Sequence, residues 1–288
     1  MESTLLIFGH GYTAQALSTR LIPLGWRVIG TTRSAEKARV LAAQGVAPLI
    51  WPGESPLPAL AQATHLLISI APGAGGDPVL AAHREDIAAA TPHIRWAGYL
   101  STTGVYGDHQ GGWVDEATPL NATTERGRWR VAAERDWRAL STATGLPLHI
   151  FRLAGIYGPG RGPFEKVRDG SARLILKPGQ FMSRIHVDDI ATALAASISR
   201  PTPGTAYNVC DDDPSPPEDV LRHAARLVGL PPPPEVPFDQ ADMTALARSF
   251  YSESKRVRND RIKHDLGVRL AFPTFREGLA ALLATRRD

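Results

Sequence analysis

One cysteine, three methionines and a 7% share of aromatic residues leave few of the side chains used for disulfides, soft-metal sites and base-stacking surfaces. A lone Cys210 excludes an internal disulfide framework and fits a reducing compartment. Because it follows the strand-like run AYNV, it reads as a buried structural thiol and not as a nucleophile. No apolar run approaches the roughly 18 residues that a membrane span needs. The opening stretch MESTLLIFGHG carries an acid where a secretory leader carries positive charge. No signal peptide and no membrane partner are expected, and the expected location is cytoplasmic. An excess of one charge is missing too. The net charge is +3, with acidic residues interleaved almost everywhere, whereas a nucleic-acid surface needs a basic stripe with aromatics along it. Only RGRWR, residues 126–130, hints at such a stripe, so no nucleic-acid partner is expected. No His, Cys or Asp group has metal-ligand spacing. The run DDD at 211–213 lacks the glycine and glutamate of a calcium loop, and no metal is expected. Internal repeats are absent as well: the tetrapeptides GVYG and GIYG, at 104–107 and 155–158, stand in unlike surroundings.

What is present is a real core. With 288 residues and 43% hydrophobic content, the chain suits one large domain or a domain with a smaller lobe. TLLIFG, WRVIGTT, VAPLIW, HLLISIA, WAGYLSTT and LHIFRLAG are continuous apolar runs bounded by Gly, Pro or polar residues. Such runs suit strands buried on both faces of a parallel sheet. Helix-compatible stretches alternate with them, among them AQALSTRLIPLG and SAEKARVLAAQG, whose final glycines Gly25 and Gly45 stand as C-terminal stops. The alternation predicts an α/β fold with a Rossmann-type, doubly wound parallel sheet. Beyond Gly158, GPGRGP, RPTPG, DDDPSPP and LPPPP concentrate proline in loops. That change predicts a smaller, loop-rich C-terminal substrate lobe. The expected division is a dinucleotide-binding domain over 1–160, with 184–200 packing back onto it, and a lobe over 161–183 and 201–288.

IFGHGYTAQAL gives Gly9-x-Gly11-x-x-Ala14 directly after the first strand and at the start of the first helix. Glycines allow the tight turn and close backbone approach to a pyrophosphate seated at the helix N-terminus, and a small third residue lets helix pack on strand. The second strand ends in TTRS, where an NAD enzyme places an acid for the ribose hydroxyls. Here Thr32, Arg33 and Ser34 offer hydroxyls and a guanidinium suited to a 2′-phosphate. NADP(H) is therefore the expected cofactor, ahead of NAD(H), although Arg33 also reads as a solvated residue at a helix start. Tyr12 and Thr13 in the loop, and Ala71 and Pro72 after the HLLISIA strand, complete the expected cofactor-binding set.

From YLSTTGVYG onward the chain resembles the extended short-chain dehydrogenase/reductase family, the NAD-dependent epimerase/dehydratase group. FRLAGIYGPGR, SRIHVDDIATAL and AYNVCDDDP continue the resemblance, in the family's order and over nearly the whole chain. It implies a catalytic hydroxyl at Thr102, with Ser101 and Thr103 as neighbours. It further implies Tyr-x-x-x-Lys on the following helix, the tyrosine moving the proton and the lysine lowering its pKa and holding the nicotinamide ribose. Counting 24 residues from Thr102 reaches Arg126, and four more reach Arg130. No tyrosine lies between Tyr106 and Tyr157, and no lysine between Lys37 and Lys166, so the motif is absent and not shifted. Glu134 matches a frequent acidic position of that helix.

An arginine stays protonated and offers donors only, so Arg126 cannot exchange protons as a tyrosine would. Arg126 and Arg130 stand at i and i+4 and share a helix face, with Arg128 pointing elsewhere. Two readings stand. The pair binds an anionic substrate or activates a carbonyl electrostatically, or both are solvated arginines left after catalysis was lost. Replacement proton donors are Tyr106, Asp108 and His109, with Tyr106 first although it also reads as a packed loop tyrosine, while His186 reads as a capping or packing residue. The resemblance places Gly155 where relatives carry an asparagine, and Ser183 and Arg184 stand out of register with the family's arginine. A nucleotide-sugar substrate is therefore not expected. The expected protein is an NADP(H)-dependent oxidoreductase or epimerase-like enzyme acting through Thr102, Tyr106, Arg126 and Arg130 on an unidentified small molecule, anionic under the first of those two readings. The alternative is an NADP-binding redox sensor or regulatory protein without turnover. Relatives often dimerise through helices flanking the sheet, so the resemblance admits a homodimer.

Overall fold

The structure is a computed structural model and describes residues 3–284. Strands β1 (Thr4–Phe8), β2 (Arg27–Thr32), β3 (Ala47–Ile50), β4 (His65–Ile68) and β5 (Trp96–Thr102) alternate with helices α1 (Tyr12–Leu21), α2 (Ala35–Ala43), α3 (Leu57–Leu60) and α4 (Pro78–Ala90). After β6 (Trp113–Val114) and the long α5 (Glu125–Thr144) come β7 (Leu148–Leu153), β8 (Gly155–Tyr157), α6 (Phe164–Arg168), β9 (Leu174–Leu176) and β10 (Arg184–His186). Helix α7 (Val187–Ser199), β11 (Ala206–Val209), α8 (Pro217–Leu227), β12 (Glu235–Pro237), α9 (Ala245–Phe250), β13 (Arg256–Val257), α10 (Asp260–Leu266) and α11 (Phe275–Ala284) follow.

The central sheet is seven-stranded, in the order β11-β7-β5-β4-β1-β2-β3, and every neighbouring pair is parallel. The order reverses between β1 and β4, and ligands bind in such sheets outside the carboxyl ends of the strands at that switch point. All six apolar runs read as strands lie in this sheet. Their continuity has a simple cause: both faces are covered. Leu5 and Ile7 point into one core with Leu17 of α1, Leu41 of α2 and Ile190 and Leu194 of α7. Leu6 and Phe8 point into the other, with Leu60 of α3, Ile87 of α4 and Trp137 of α5. Gly25 and Gly45 adopt left-handed φ values of 82° and 80°, as helix stops require.

The C-terminal lobe is built on a third, smaller core that includes Tyr157, Phe164, Val167, Phe275 and Leu279. Three two-stranded parallel pairs, β8 with β10, β9 with β12 and β6 with β13, brace its loops. One part of the expected division needs correction. Residues 206–209, assigned from sequence to the lobe, form β11, the edge strand of the central sheet. Ile262 and Leu266 of α10 also belong to a core of that sheet. Proline-rich loops on either side of AYNV masked the fact that the chain returns to the sheet before leaving it again. Cys210 is fully buried, its thiol donating to the Val257 carbonyl at 3.2 Å, and burial pushes its pKa well up. Among the described residues, no helix is long and apolar enough to cross a membrane. No group of three or more His, Cys, Asp or Glu there could hold a metal ion.

Candidate active site

The first turn after β1 is shaped for a close approach from outside. Gly9 sits at φ 86°, and a Cβ there would lie 2.6 Å from Ile70 Cγ1, so glycine is required on both counts. The Gly9 amide donates to Thr31 Oγ1 at 2.7 Å and the His10 amide to the Thr31 carbonyl at 2.9 Å, which ties the turn to β2. His10 is buried beneath the turn with Nε2 bonded to Ser18 Oγ at 2.8 Å. Burial and the Lys37 charge lower its pKa to about 4, so it is a neutral packing group at physiological pH. Gly30 is needed for it, because a Cβ there would lie 2.8 Å from the imidazole. Gly11 is the N-cap of α1 and offers no side-chain cap. By contrast α2, α4, α5 and α7 are capped by Ser34, Asp77, Thr124 and His186. The open first-turn amides of α1 and the space above Gly11 fit a pyrophosphate. Ala14 is fully buried and lets α1 lie close on the sheet.

A cleft of about 670 Å³ runs from this turn across the carboxyl ends of β4 and β5 to the start of α5. It gathers Gly11, Tyr12, Thr13, Ala71, Pro72, Thr102, Arg126 and Arg130 from the residues expected on sequence. Thr102 ends β5, its hydroxyl accepting from the Gly104 amide at 3.2 Å. Arg126 donates to Ser249 Oγ at 3.0 Å and lies 5.4 Å over the Phe250 ring, so it joins α5 to α9 across the cleft. Arg130 donates to the Leu100 carbonyl at 2.5 Å and to Tyr99 Oη at 3.2 Å, which holds it against β5. Arg128 turns away to the Thr123 carbonyl at 2.7 Å. The shared face of Arg126 and Arg130 is therefore the cleft face.

Tyr106, the first replacement donor named from sequence, is not in the cleft. It is fully buried in the sheet core, donates to Asn208 Oδ1 at 2.7 Å and accepts from Arg152 Nη1 at 2.9 Å. Burial pushes its pKa up to about 12. The position after a strand end allows either a loop or a tucked-in ring, and the buried partners Asn208 and Arg152 hold the ring in. We predict that Tyr106→Phe leaves NADPH affinity unchanged in a fluorescence titration. It costs about 1–3 kcal/mol in urea denaturation, because Asn208 and Arg152 each lose a buried partner.

Ser101 is likewise committed, donating to Glu134 Oε1 at 2.6 Å. At the end of β2, Thr32 Oγ1 lies 3.5 Å from the Ser34 amide and Ser34 caps α2 through the Lys37 amide. Arg33 is exposed there and makes no side-chain hydrogen bond or ion pair with a described residue. Gly9, Ala14, Thr32, Arg33 and Ser34 all lie outside the cleft.

Sequence reasoning missed the far wall. Arg161, Phe181, Ser249, Phe250, Glu253 and Lys255 line the cleft from the C-terminal lobe. Lys255 is 8% exposed, and its ammonium donates to the Gly107 carbonyl at 2.8 Å and to Glu253 Oε2 at 2.6 Å. Nothing in local pattern marks these residues, which come from loops and the short α9. The lone lysine in the basic stretch SKRVR was the only available signal.

This geometry, a doubly wound sheet with a glycine turn opening into a cleft at the β5 end, defines a Rossmann-type dinucleotide-binding fold. A model of the NAD dependent epimerase/dehydratase family matches residues 87–210. The solved structure of a functionally unknown conserved protein from Silicibacter pomeroyi is 62% identical, with a TM-score of 0.94, and covers 99% of this chain and 100% of that chain. Protein YeeZ from Escherichia coli K12 is 30% identical over 280 residues, 93% of this chain and 95% of its own length. A 3-diazoavenalumate denitrifying reductase from a Streptomyces species is 29% identical over 179 residues, 58% of each chain. The chain belongs to the NAD-dependent epimerase/dehydratase family.

Proposed function

We propose that this protein is an NADP(H)-dependent oxidoreductase that reduces a carbonyl group on a small anionic molecule. The observation that carries the reading is the open cleft joining the glycine turn to Thr102 with three guanidinium groups along it, those of Arg126, Arg130 and Arg161. A sensor that only reads the cofactor has no need of such a space, and the Streptomyces relative is by name a reductase. Gly11, Tyr12 and Thr13 would hold the pyrophosphate against α1, in the space that the Gly9 turn and the small Ala14 leave open. Ala71 and Pro72 would border the nicotinamide half at the end of β4. When bound, NADPH supplies a hydride. The chain's own residues do the rest. Thr102 presents a hydroxyl to the substrate oxygen, Arg130 sets positive charge beside the end of β5, and Arg126 and Arg161 draw an anionic group into the cleft. Their fields act in a partly enclosed space, where charge counts for more than in bulk water.

Preference for NADP(H) over NAD(H) rests on Arg33, which stands unengaged where the 2′-phosphate of adenosine would lie, with no acid at that strand end to attract a free ribose hydroxyl. Fluorescence titration with NADPH and NADH tests it. The expected result is tighter NADPH binding by roughly 10- to 100-fold, as one charge-assisted contact supplies, and near-equal affinities in Arg33→Ala. Equal affinities in the wild type would overturn the preference. Oxidation of NADPH by 4-carboxybenzaldehyde, an anionic aldehyde, followed at 340 nm, tests the activity. NADPH binding without oxidation would instead support a redox sensor, the reading favoured by the lack of any tyrosine in the tyrosine position.

A further inference from the structure

We propose that Lys255 is a catalytic residue of this cleft, and that its ammonium gives the substrate oxygen the proton that the missing tyrosine would have given. The proposal rests on the reductase reading above. The position of Lys255 is set from both sides along the chain. The Ser254 amide donates to Asp108 Oδ1 at 2.7 Å, and the His109 and Gly111 amides donate to the Ser254 carbonyl at 3.1 and 2.9 Å. Beyond it, the Arg256 amide donates to the Gly112 carbonyl at 2.9 Å, and β13 pairs with β6. These bonds anchor the segment without any help from the Lys255 side chain.

That side chain turns into the wall of the cleft next to the turn that follows Thr102. Its two acceptors, the Gly107 carbonyl and Glu253, fix the ammonium in place. An ammonium has three N–H donors, so one remains beyond these two bonds, in a residue that lines the same cleft as Thr102. Glu253 is itself held, its other oxygen accepting from Thr123 Oγ1 at 2.7 Å, just before the Thr124 cap of α5. The ion pair is only 10% exposed on each side, so it is part of the site's wall and not a surface pair.

The other titratable side chains of the cleft do not give the substrate a proton. Arg126, Arg130 and Arg161 keep theirs, and the Tyr12 hydroxyl is committed to the Pro159 carbonyl at 3.0 Å. Glu253 faces a cation and serves as its counter-ion. Lys255 has both the proton and the charge. In the reduction, the hydride from the nicotinamide forms the new C–H bond as the C=O π pair moves onto oxygen. An N–H bond of Lys255 then breaks and an O–H bond forms. The alcohol results, and Lys255 is left as a neutral amine that regains its proton from solvent through the open cleft. Transfer follows charge development on oxygen, because an alkoxide is far more basic than an amine.

Wild type, Lys255→Met and Lys255→Arg separate proton, charge and fold. All three are expected to bind NADPH equally, which checks both the fold and the cofactor site. With NADP+ bound, calorimetric titration with 4-(hydroxymethyl)benzoate, the alcohol of the aldehyde probe, is expected to weaken roughly tenfold or more in Lys255→Met and to survive in Lys255→Arg, which keeps the charge. Turnover of 4-carboxybenzaldehyde is expected to fall on the order of 100-fold in both variants, because arginine keeps its proton. Turnover in Lys255→Arg within a few-fold of wild type would overturn the proposal, leaving a purely electrostatic role. Unchanged turnover or unchanged alcohol binding in Lys255→Met would overturn it outright. A wild type that binds NADPH but neither binds the alcohol nor reduces the aldehyde would overturn the reductase reading itself.

Discussion

Glu134→Ala is expected to destabilise the protein by about 3–5 kcal/mol in urea denaturation, the range for stranding one member of a buried ion pair. Glu134 on α5 is 1% exposed, and its carboxylate accepts from Arg152 Nη2 at 2.8 Å, from Arg152 Nε at 3.2 Å and from Ser101 Oγ at 2.6 Å. Arg152 in turn donates to Tyr106, and Tyr106 to Asn208 on β11. The chain of bonds thus links α5 to β5, β7 and β11 beneath the cleft. Burial by itself would lower the Arg152 pKa, yet the Glu134 carboxylate and Tyr106 hold it above its ordinary value. With Glu134 gone, the guanidinium stays buried, charged and without a counter-ion. Replacing both partners, as in Glu134→Leu with Arg152→Leu, is expected to recover much of the loss, because no charge is then left stranded. A cost below about 1 kcal/mol for Glu134→Ala would show that the pair is exposed to water in solution.

Stability is also expected to fall as pH rises from about 4 to 8, and Asp211 is the cause. Its carboxyl is 1% exposed, and Oδ2 has no hydrogen-bond partner. Burial raises the pKa to about 8, against the opposing pull of the Arg184 charge. Arg184 is pushed the other way, its pKa lowered first by burial, and its guanidinium donates to the Met182 carbonyl at 2.9 Å and to Ser215 Oγ at 2.9 Å. The folded state therefore favours the neutral acid, while the unfolded chain ionises near pH 3.9. Between those two values the folded protein binds more protons than the unfolded one, so stability is fully present below about pH 4 and declines through the folded pKa. The decline is on the order of 5–6 kcal/mol at most across the whole window, and about 4 kcal/mol of it falls above pH 5. Urea denaturation at pH 5 and pH 8.5 reads it directly, and Asp211→Asn is expected to flatten the difference. An equally steep slope in that variant would assign the dependence to another group.

Much of the fold was legible because its signals are local. A strand buried on both faces must be apolar along its length, and so TLLIF, HLLI and LHIFRL announced themselves. A turn at φ 86° that is approached by Ile70 must be glycine, and so Gly9 did too. The end of β5 and the α5 helix followed from the order of motifs, which put Thr102, Arg126 and Arg130 on one cleft. For Tyr106 the sequence left a donor and a packed ring both open, because its neighbours along the chain say nothing about Arg152 and Asn208, both distant in sequence. For the same reason β11 was read into the wrong lobe.

The sequence by itself determined the parallel sheet, the glycine turn at its switch point and a helix α5 that carries neither tyrosine nor lysine. These follow from spacing, side-chain volume and backbone freedom within a few residues. Only the tertiary structure decided which charged groups meet. It paired Glu134 with Arg152 out of water, locked Tyr106 away from the cleft, and carried Arg161, Glu253 and Lys255 across from the second lobe. Electrostatic partners act through space and leave no period in the chain, so the chemistry of this site becomes visible only once the lobe has folded over the end of the sheet.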